Sequence, residues 1–462
     1  MKTTPILSRF LVIILAAGLT PFCFPPFDAW PLMLVSIFLL LWAATGSTMR
    51  VAFYGGLLFG VISFGASLAW LSTIFGPRCI TLFLMFGMFP AFFCMTIKTL
   101  RDRFPERPVM VMLLVAVSWT AIEFFRSEIF YLRFPWITPG TSLGPTFLSP
   151  LIGVYGATFL IVLAVAGLLH RRTQTIGAVL CLCICLLGFW RPAPVQLSAD
   201  DNDHFVVGLV QAEERSHLHY IKWTRSLASQ KPDLVVWPEY SLPDDVEKDE
   251  WVYRALTNLC AEMDIIMVVG TRTVLGPGTR DWHNTAMVLN ADGIVGRTHK
   301  ARPIHFMNDG QPATHSVPVQ TRLGAMANPV CFDCDYTEIT RRFAAAESDF
   351  FAVPIMDAER WTAWQHVQHA ALLRCRAAET GRWFASAASS GVSQIIDPTG
   401  HVHHEMGAME EGAFAGRIAP REGRTLFVRV GWLFPWVNLA VFVLLAFWLV
   451  LGKGLPLSRR QT

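Results

Sequence analysis

The chain has 462 residues, 53% of them hydrophobic and 16% charged, with a mean hydropathy of +0.41 and a formal net charge of +3. A soluble globular domain is nearer a quarter charged, so a large core alone does not account for this composition. The small net charge, with no Lys/Arg run interleaved with aromatics, gives no ground for a nucleic-acid partner, and none is expected.

The apolar residues are unevenly spread. Residues 1–192 and 427–452 are rich in Leu, Phe, Val and Trp, while residues 199–424 hold most of the Asp, Glu and His. The expected organisation is a membrane helical bundle over 1–192, a soluble domain over 199–426, and a final helix with a short tail over 427–462. The ten cysteines are scattered, several of them inside apolar runs, and form no dense disulfide framework.

In chain order, Met1–Phe24 begins with Lys2 and Arg9, turns apolar and carries no A-x-A cleavage site. It is expected to be an uncleaved first span rather than a signal peptide. Further apolar runs lie at 30–46, 51–73, 79–98, 108–126, 147–169, 174–190 and 429–451. Each approaches the roughly 20 residues needed to cross hydrocarbon. Backbone groups in lipid must pair internally, so these are helices, eight in all. With the N-terminus in the cytoplasm, twelve Lys and Arg fall in cytoplasmic segments and three (Arg78, Arg126 and Arg133) in short outer loops. The positive-inside rule selects that orientation. Seven spans before the soluble domain then place it on the outer face.

At the end of the fifth span, Glu123 and Arg126 share a helix face at i, i+3, and Phe134-Pro-Trp136 follows. Two readings stand: an ion pair at the membrane boundary with interfacial aromatics, or the wall of an entrance for a lipid headgroup or acyl chain.

The soluble part alternates strand and helix patterns. Strands are expected at 205–210, 233–237, 265–270, 285–290, 329–332, 349–353, 383–388 and 393–397, and helices at 220–229, 251–263, 336–346 and 363–379. Asn290-Ala-Asp-Gly293 and Asp397-Pro-Thr-Gly400 read as turns. This pattern implies a layered α/β sandwich.

Three stretches carry chemistry: Val235-Val-Trp-Pro-Glu239, Gly296-Arg-Thr-His-Lys300 and Asn328-Pro-Val-Cys331-Phe-Asp-Cys334. Each ends a strand or hairpin, where layered α/β folds assemble their sites. Taken singly, the glutamate reads as a solvated turn, the lysine as surface charge and the cysteine as core. Together they make an acyl-transfer set. The Cys331 thiol is the nucleophile, Lys300 favours the thiolate and an oxyanion, and Glu239 moves protons. The Cys331-x-x-Cys334 spacing also admits a redox reading, which leaves Glu239 and Lys300 idle. No metal cluster is apparent; His401, His403 and His404 read as a solvated patch.

The Trp-Pro-Glu, Lys and Cys-Phe-Asp set on this strand pattern resembles the nitrilase (carbon–nitrogen hydrolase) superfamily. Pro25–Pro31, Phe59–Trp70, Trp119–Arg126, Phe134–Trp136, Ile152–Gly156, Trp364–Gln368 with Arg374, Glu379–Arg382 and Ser390–Ser393 extend the likeness to the apolipoprotein N-acyltransferase family. The resemblance implies an αββα sandwich and catalytic residues Glu239, Lys300 and Cys331. It implies transfer of an acyl chain from a phospholipid to the N-terminal amine of a diacylglyceryl-cysteine lipoprotein through a thioester. It further implies a monomer in a bacterial inner membrane with its catalytic domain on the periplasmic face, and no cofactor. The second layer is expected from Asn308, which stands at the family's auxiliary glutamate position, and from Asp309, Phe332, Asp333, Trp237, Trp136, Glu123 and Arg126. Asp309, one residue on, is the alternative to Asn308 as the group facing Lys300. A hydrolase with water as acceptor, and a non-catalytic membrane scaffold, are the competing functions.

Overall fold

The computed structural model describes residues 6–197, 204–213, 215–276, 281–313 and 317–451. Lys2, Lys453, Arg459 and Arg460, used above to orient the bundle, lie outside them.

All eight apolar runs form helices. Six are long and apolar enough to cross a membrane: Ile6–Cys23, Met49–Ser67, Leu71–Arg103, Pro108–Ile129, Ser149–Leu168 and Phe427–Val450. The other two, Pro31–Thr45 and Gln174–Phe189, have 15 and 16 residues. At about 1.5 Å per residue they fall short of a hydrocarbon core of about 30 Å. Of the eight expected spans, six are thus long enough to cross among the described residues, and the other two are shorter apolar helices. Prolines open Pro31–Thr45 and Pro108–Phe124, where the missing N–H costs nothing. Met49–Ser67 crosses Cys79–Arg103 through glycines: a Cβ on Gly56 would lie 2.5 Å from the Pro90 carbonyl oxygen.

Between residues 205 and 418 the chain forms two six-stranded sheets. Its strands are β1 (Phe205–Gln211), β2 (Leu234–Val236), β3 (Ile266–Val274), β4 (Trp282–Asn290), β5 (Gly293–His299), β6 (Val319–Thr321), β7 (Gly324–Ala327), β8 (Phe350–Ile355), β9 (Trp383–Ala388), β10 (Ser393–Ile396), β11 (Val402–Met406) and β12 (Gly412–Ile418). One sheet runs β12-β1-β2-β3-β4-β5 and the other β11-β10-β9-β8-β7-β6. The pairs β1–β2, β2–β3, β7–β8 and β8–β9 are parallel. Val207, Leu209, Val236 and Val268 of the first sheet meet Met326, Phe350, Val353 and Phe384 of the second in a shared apolar core. Helices His217–Ser226 and Glu250–Met263 cover the outside of the first sheet. Thr337–Ala345 and Ala363–Thr380 accompany the second, giving the αββα layering.

Two expectations shift. The strand expected at 329–332 lies earlier, at β7, because Pro329 lacks an N–H and Cys331–Asp335 closes into a 3-10 turn. Strands β6, β11 and β12 were not expected, and β5 was expected only as the hairpin arm that ends at Lys300, without bounds of its own.

The two halves are tied by buried polar contacts. Glu128, in the π-turn after Pro108–Phe124, accepts hydrogen bonds from the Thr337 hydroxyl (2.7 Å) and amide (3.1 Å). Glu379 accepts from the Val154 amide at 2.8 Å, and the Trp70 indole donates to Gln368 at 3.1 Å. These contacts seat the second sheet and its helices on the bundle, with the Cys331 turn at the junction.

Candidate active site

The end of β2, the end of β5 and the turn after β7 converge. Lys300 follows β5 directly and donates to the carboxylates of Glu239 (2.8 Å) and Asp309 (2.9 Å). Lys300 is 1% exposed, Cys331 2% and Glu239 3%, so these charges rely on one another rather than on water. The other Glu239 oxygen accepts from the Met356 amide at 2.9 Å. The Asn284 side-chain amide, on β4, donates to Glu239 (2.5 Å) and to Asp309 (2.8 Å). Asp309 accepts from the Tyr240 hydroxyl at 2.6 Å and from the Ile304 amide N–H at 2.7 Å. Gly270 of β3 lets the Glu239 backbone approach, since a Cβ there would lie 2.4 Å from the Glu239 Cα.

Cys331 opens the 3-10 turn with φ +50, the left-handed region that non-glycine residues seldom occupy. Its thiol faces the Met356 carbonyl at 3.7 Å. Asp333 pins this turn to the end of β5 by accepting from the amides of Arg302 (2.7 Å), Ala301 (3.1 Å) and Val330 (3.2 Å). Burial pushes the Asp333 carboxyl up to about 6 despite these donors.

Burial opposes the Lys300 charge, but Asp309 and Glu239 hold the ammonium well above the usual lysine range. Burial raises Glu239, and the Asp309 charge adds to it. Asp309 is also buried, yet Lys300 keeps its carboxyl below the ordinary value. Burial and the nearby Glu239 push the Cys331 thiol well up, against the pull of Lys300. Burial and Glu239 thus favour the neutral thiol over the thiolate that a neighbouring lysine alone would favour.

A second buried cluster faces Cys331 from the helix side. His369 lies 2.8 Å from Asp357 through Nδ1 and 3.2 Å from Asp335 through Nε2. Gln365 donates to Asp357 at 2.9 Å, and the Trp136 indole donates to Asp335 at 2.6 Å. Burial works against the His369 charge, but the two carboxylates hold it well above the usual imidazole range. Burial also opposes the Asp357 charge, and His369 nonetheless keeps that carboxyl low.

Two cavities meet at the site. A narrow apolar one of about 100 Å³ is lined by Cys331, Phe332, Trp136, Trp70, Phe86 and His369 among others. A wider polar one of about 880 Å³ is lined by Glu239, Lys300, Asp309, Tyr240 and Met356. Ile74, Phe75, Ile304 and Phe306 line both.

The structure brings together Glu239, Lys300, Cys331, Asp309, Asp333, Phe332 and Trp136. Asp309 takes the place on Lys300, whereas Asn308 is exposed on the rim of the polar cavity. Trp237 is elsewhere: it is buried under helix His217–Ser226, stacks on Tyr220 at 5.1 Å and donates to Thr224 at 2.9 Å. Its side chain points to the outer face of the sheet, so its place before Pro-Glu in sequence gives no contact with the site.

Glu123 and Arg126 line a separate cavity within the bundle and form no ion pair with each other among the described residues. Glu123 accepts from Thr158 (2.8 Å) and Trp119 (3.0 Å). Arg126 donates to the carbonyls of Phe134 (2.9 Å) and Trp136 (3.1 Å) and so acts on the site by holding the Trp136 loop. Cys334 is buried in the core between the sheets. Sequence reasoning missed Tyr240, Asn284, Asp335, Asp357 and His369. The Tyr240 signal was adjacency to Glu239; the others sit in strand or helix patterns that hide their partners.

Comparison with known proteins follows the same division. Residues 16–167 match the apolipoprotein N-acyltransferase N-terminal domain, and residues 205–425 match carbon–nitrogen hydrolase. Apolipoprotein N-acyltransferase of Pseudomonas paraeruginosa is 29% identical over 97% of this chain and 97% of its own length. That of Geobacter metallireducens is 25% identical over 93% of each chain. The Haemophilus influenzae protein of the same name is 24% identical over 98% of this chain and 96% of its own. With both domains present in this order, and relatives aligned along nearly its whole length, the chain belongs to the apolipoprotein N-acyltransferase family of the carbon–nitrogen hydrolase superfamily.

Proposed function

We propose that this chain N-acylates lipoproteins, taking the acyl group from a phospholipid and carrying it as a thioester on Cys331. The observation that carries the proposal is the position of Cys331: its thiol sits where an apolar cavity between the bundle and the αββα domain meets the Glu239–Lys300–Asp309 cluster. The apolar lining of the first suits the methylenes next to an acyl carbonyl held at Cys331, and the second would receive the glycerol side of the ester.

In the first half-reaction Glu239 accepts the Sγ proton as Sγ bonds to the ester carbonyl carbon. The Lys300 ammonium faces the resulting oxyanion. The C–O bond then breaks, the glycerol oxygen takes the proton from Glu239, and a lysophospholipid leaves. In the second, the α-amine of a diacylglyceryl-cysteine attacks the thioester carbonyl and gives a proton to Glu239. The C–S bond breaks and the sulfur recovers that proton, leaving an amide and the free thiol. Asp309, fixed by Tyr240, Asn284 and the Ile304 amide, keeps Lys300 charged throughout.

The same reading assigns a soluble catalytic domain over 199–426 between bundle and final helix, working as a monomer on the outer face of the inner membrane. Parity favours that side: five long helices, or seven with the two short ones, precede the domain, an odd number either way. The test is acyl transfer by the purified chain, in detergent with phosphatidylethanolamine, to a synthetic diacylated lipopeptide. The lipopeptide should gain one acyl chain on its amine. If free fatty acid accumulates equally fast with or without lipopeptide, water is the acceptor and the chain is a hydrolase.

A further inference from the structure

The polar cavity carries two arginines that the chemistry above does not use. Arg78 stands in the short connection before helix Cys79–Arg103, and Arg360 lies in the 3-10 turn Glu359–Trp361. Both line this cavity together with Lys300, and both are exposed. Neither has an ion-pair or hydrogen-bonding side-chain partner among the described residues. One comes from the bundle and the other from the soluble domain, so the fold brings two unneutralised guanidinium groups to one opening. Thr81 and Leu82, in the first turn of Cys79–Arg103, line it too, adding the positive end of a 25-residue helix. The carboxylates facing the same space, Glu239 and Asp309, are already engaged with Lys300.

We infer that Arg78 and Arg360 bind the phosphodiester of the acyl donor. The inference rests on the phospholipid reading of the donor given above. A phospholipid with its acyl chain in the apolar cavity and its ester carbonyl at Cys331 has its phosphate about a glycerol's length away, on the polar side. Guanidinium pairs hold phosphate oxygens through forked, charge-assisted bonds. The lipopeptide acceptor has no phosphate and brings an amine, which two arginines disfavour. The pair therefore acts on donor binding and not on the second half-reaction.

The test uses the full chain as Cys331→Ser, which holds lipids without turning them over, in detergent micelles. Binding of lysophosphatidylethanolamine, lysophosphatidylglycerol and a monoacylglycerol of the same chain length is read by tryptophan fluorescence, since Trp70, Trp136 and Trp361 line the cavities. Both lysophospholipids are expected to bind at least about tenfold tighter than the monoacylglycerol. Adding Arg78→Gln and Arg360→Gln should bring them down to the monoacylglycerol level and leave monoacylglycerol binding unchanged. Arg78→Lys with Arg360→Lys should retain most of the preference. Competition by inorganic phosphate in the parent but not in the double glutamine variant would show that the site recognises phosphate itself; its absence, with the lysophospholipid preference intact, would show that the lipid headgroup is required. A double glutamine variant that keeps the full preference, or that loses monoacylglycerol binding as well, overturns the inference. Because the readout is binding by an inert protein, failure to acylate a lipopeptide would sink the functional reading separately.

Discussion

Two buried charge clusters flank Cys331, and they differ in what they face. Glu239, Lys300 and Asp309 line the polar cavity, so their charges can answer to charge that develops on a substrate. Asp335, His369 and Asp357 back the apolar cavity, with Trp136 donating to Asp335 and Gln365 to Asp357. Both are a cation between two carboxylates. The first has a proton acceptor raised by burial next to a thiol, while the second is locked in a fixed charge state. Similar composition thus meets a cavity that holds further charged groups in one case and an apolar cavity in the other.

The largest effects should come from the first cluster. Lys300→Met is expected to lower the acylation rate about 10²- to 10³-fold, from loss of one oxyanion partner. It should also destabilise the fold by about 3–5 kcal/mol, since two buried carboxylates lose their cation. Glu239→Gln should lower the rate about 10²- to 10⁴-fold with a smaller effect on folding. Single-turnover acylation and thermal unfolding separate these. Next comes Asp309→Asn, with an expected loss of about 10- to 100-fold from one charge-assisted contact. Asn308→Ala, on the exposed rim, should stay within about twofold. Equal effects of the two would remove Asp309 from the cluster.

His369→Gln should reverse the pattern. Its main effect is a lowered unfolding temperature, because Asp335 and Asp357 are left facing each other, while acylation per folded molecule falls about tenfold or less. A rate loss as deep as that of Lys300→Met, with unchanged stability, would make the second cluster catalytic and abolish the distinction.

The smallest effect is a pH dependence. His299, just before Lys300, is lowered from 6.5 to about 4 by burial and by His283 and Arg297. The unfolded chain therefore binds a proton that the folded chain refuses between those values. Stability from this group is present above 6.5 and lost as the pH falls toward 4. His299→Gln should flatten the slope of unfolding temperature against pH in that window; an unchanged slope would show that other groups set it.

The first cluster was legible in part: Glu239 follows the buried run Leu234–Val236, and Lys300 closes the hairpin that turns at Asn290–Gly293. Even there, sequence favoured Asn308 by position, and the backbone of 301–310 turned out to aim Asp309 instead. The second cluster was hidden. Asp335 ends the turn after β7, Asp357 follows β8 and His369 stands on helix Ala363–Thr380, and nothing local says that they meet. Trp237 shows the opposite failure: nearness in sequence to Glu239 placed it at the site, while side-chain direction put it under a helix. The missed strands β6, β11 and β12 are short, glycine-bearing or polar, such as Val402–Met406 with two histidines and a glutamate. Their pairing is decided by the neighbouring strands rather than by their own residues. The bundle was legible as apolar runs, but length, and so the number of full spans, depended on where each helix stops.

The most direct measurement is the intact mass of the purified chain after incubation with phosphatidylethanolamine. The mass is expected to rise by one acyl group on the wild-type chain and not on Cys331→Ala, and to return to the starting value when a diacylated lipopeptide is added. An adduct that persists in Cys331→Ala, or no adduct on the wild type while lipopeptide is being acylated, would contradict Cys331 as the acyl carrier.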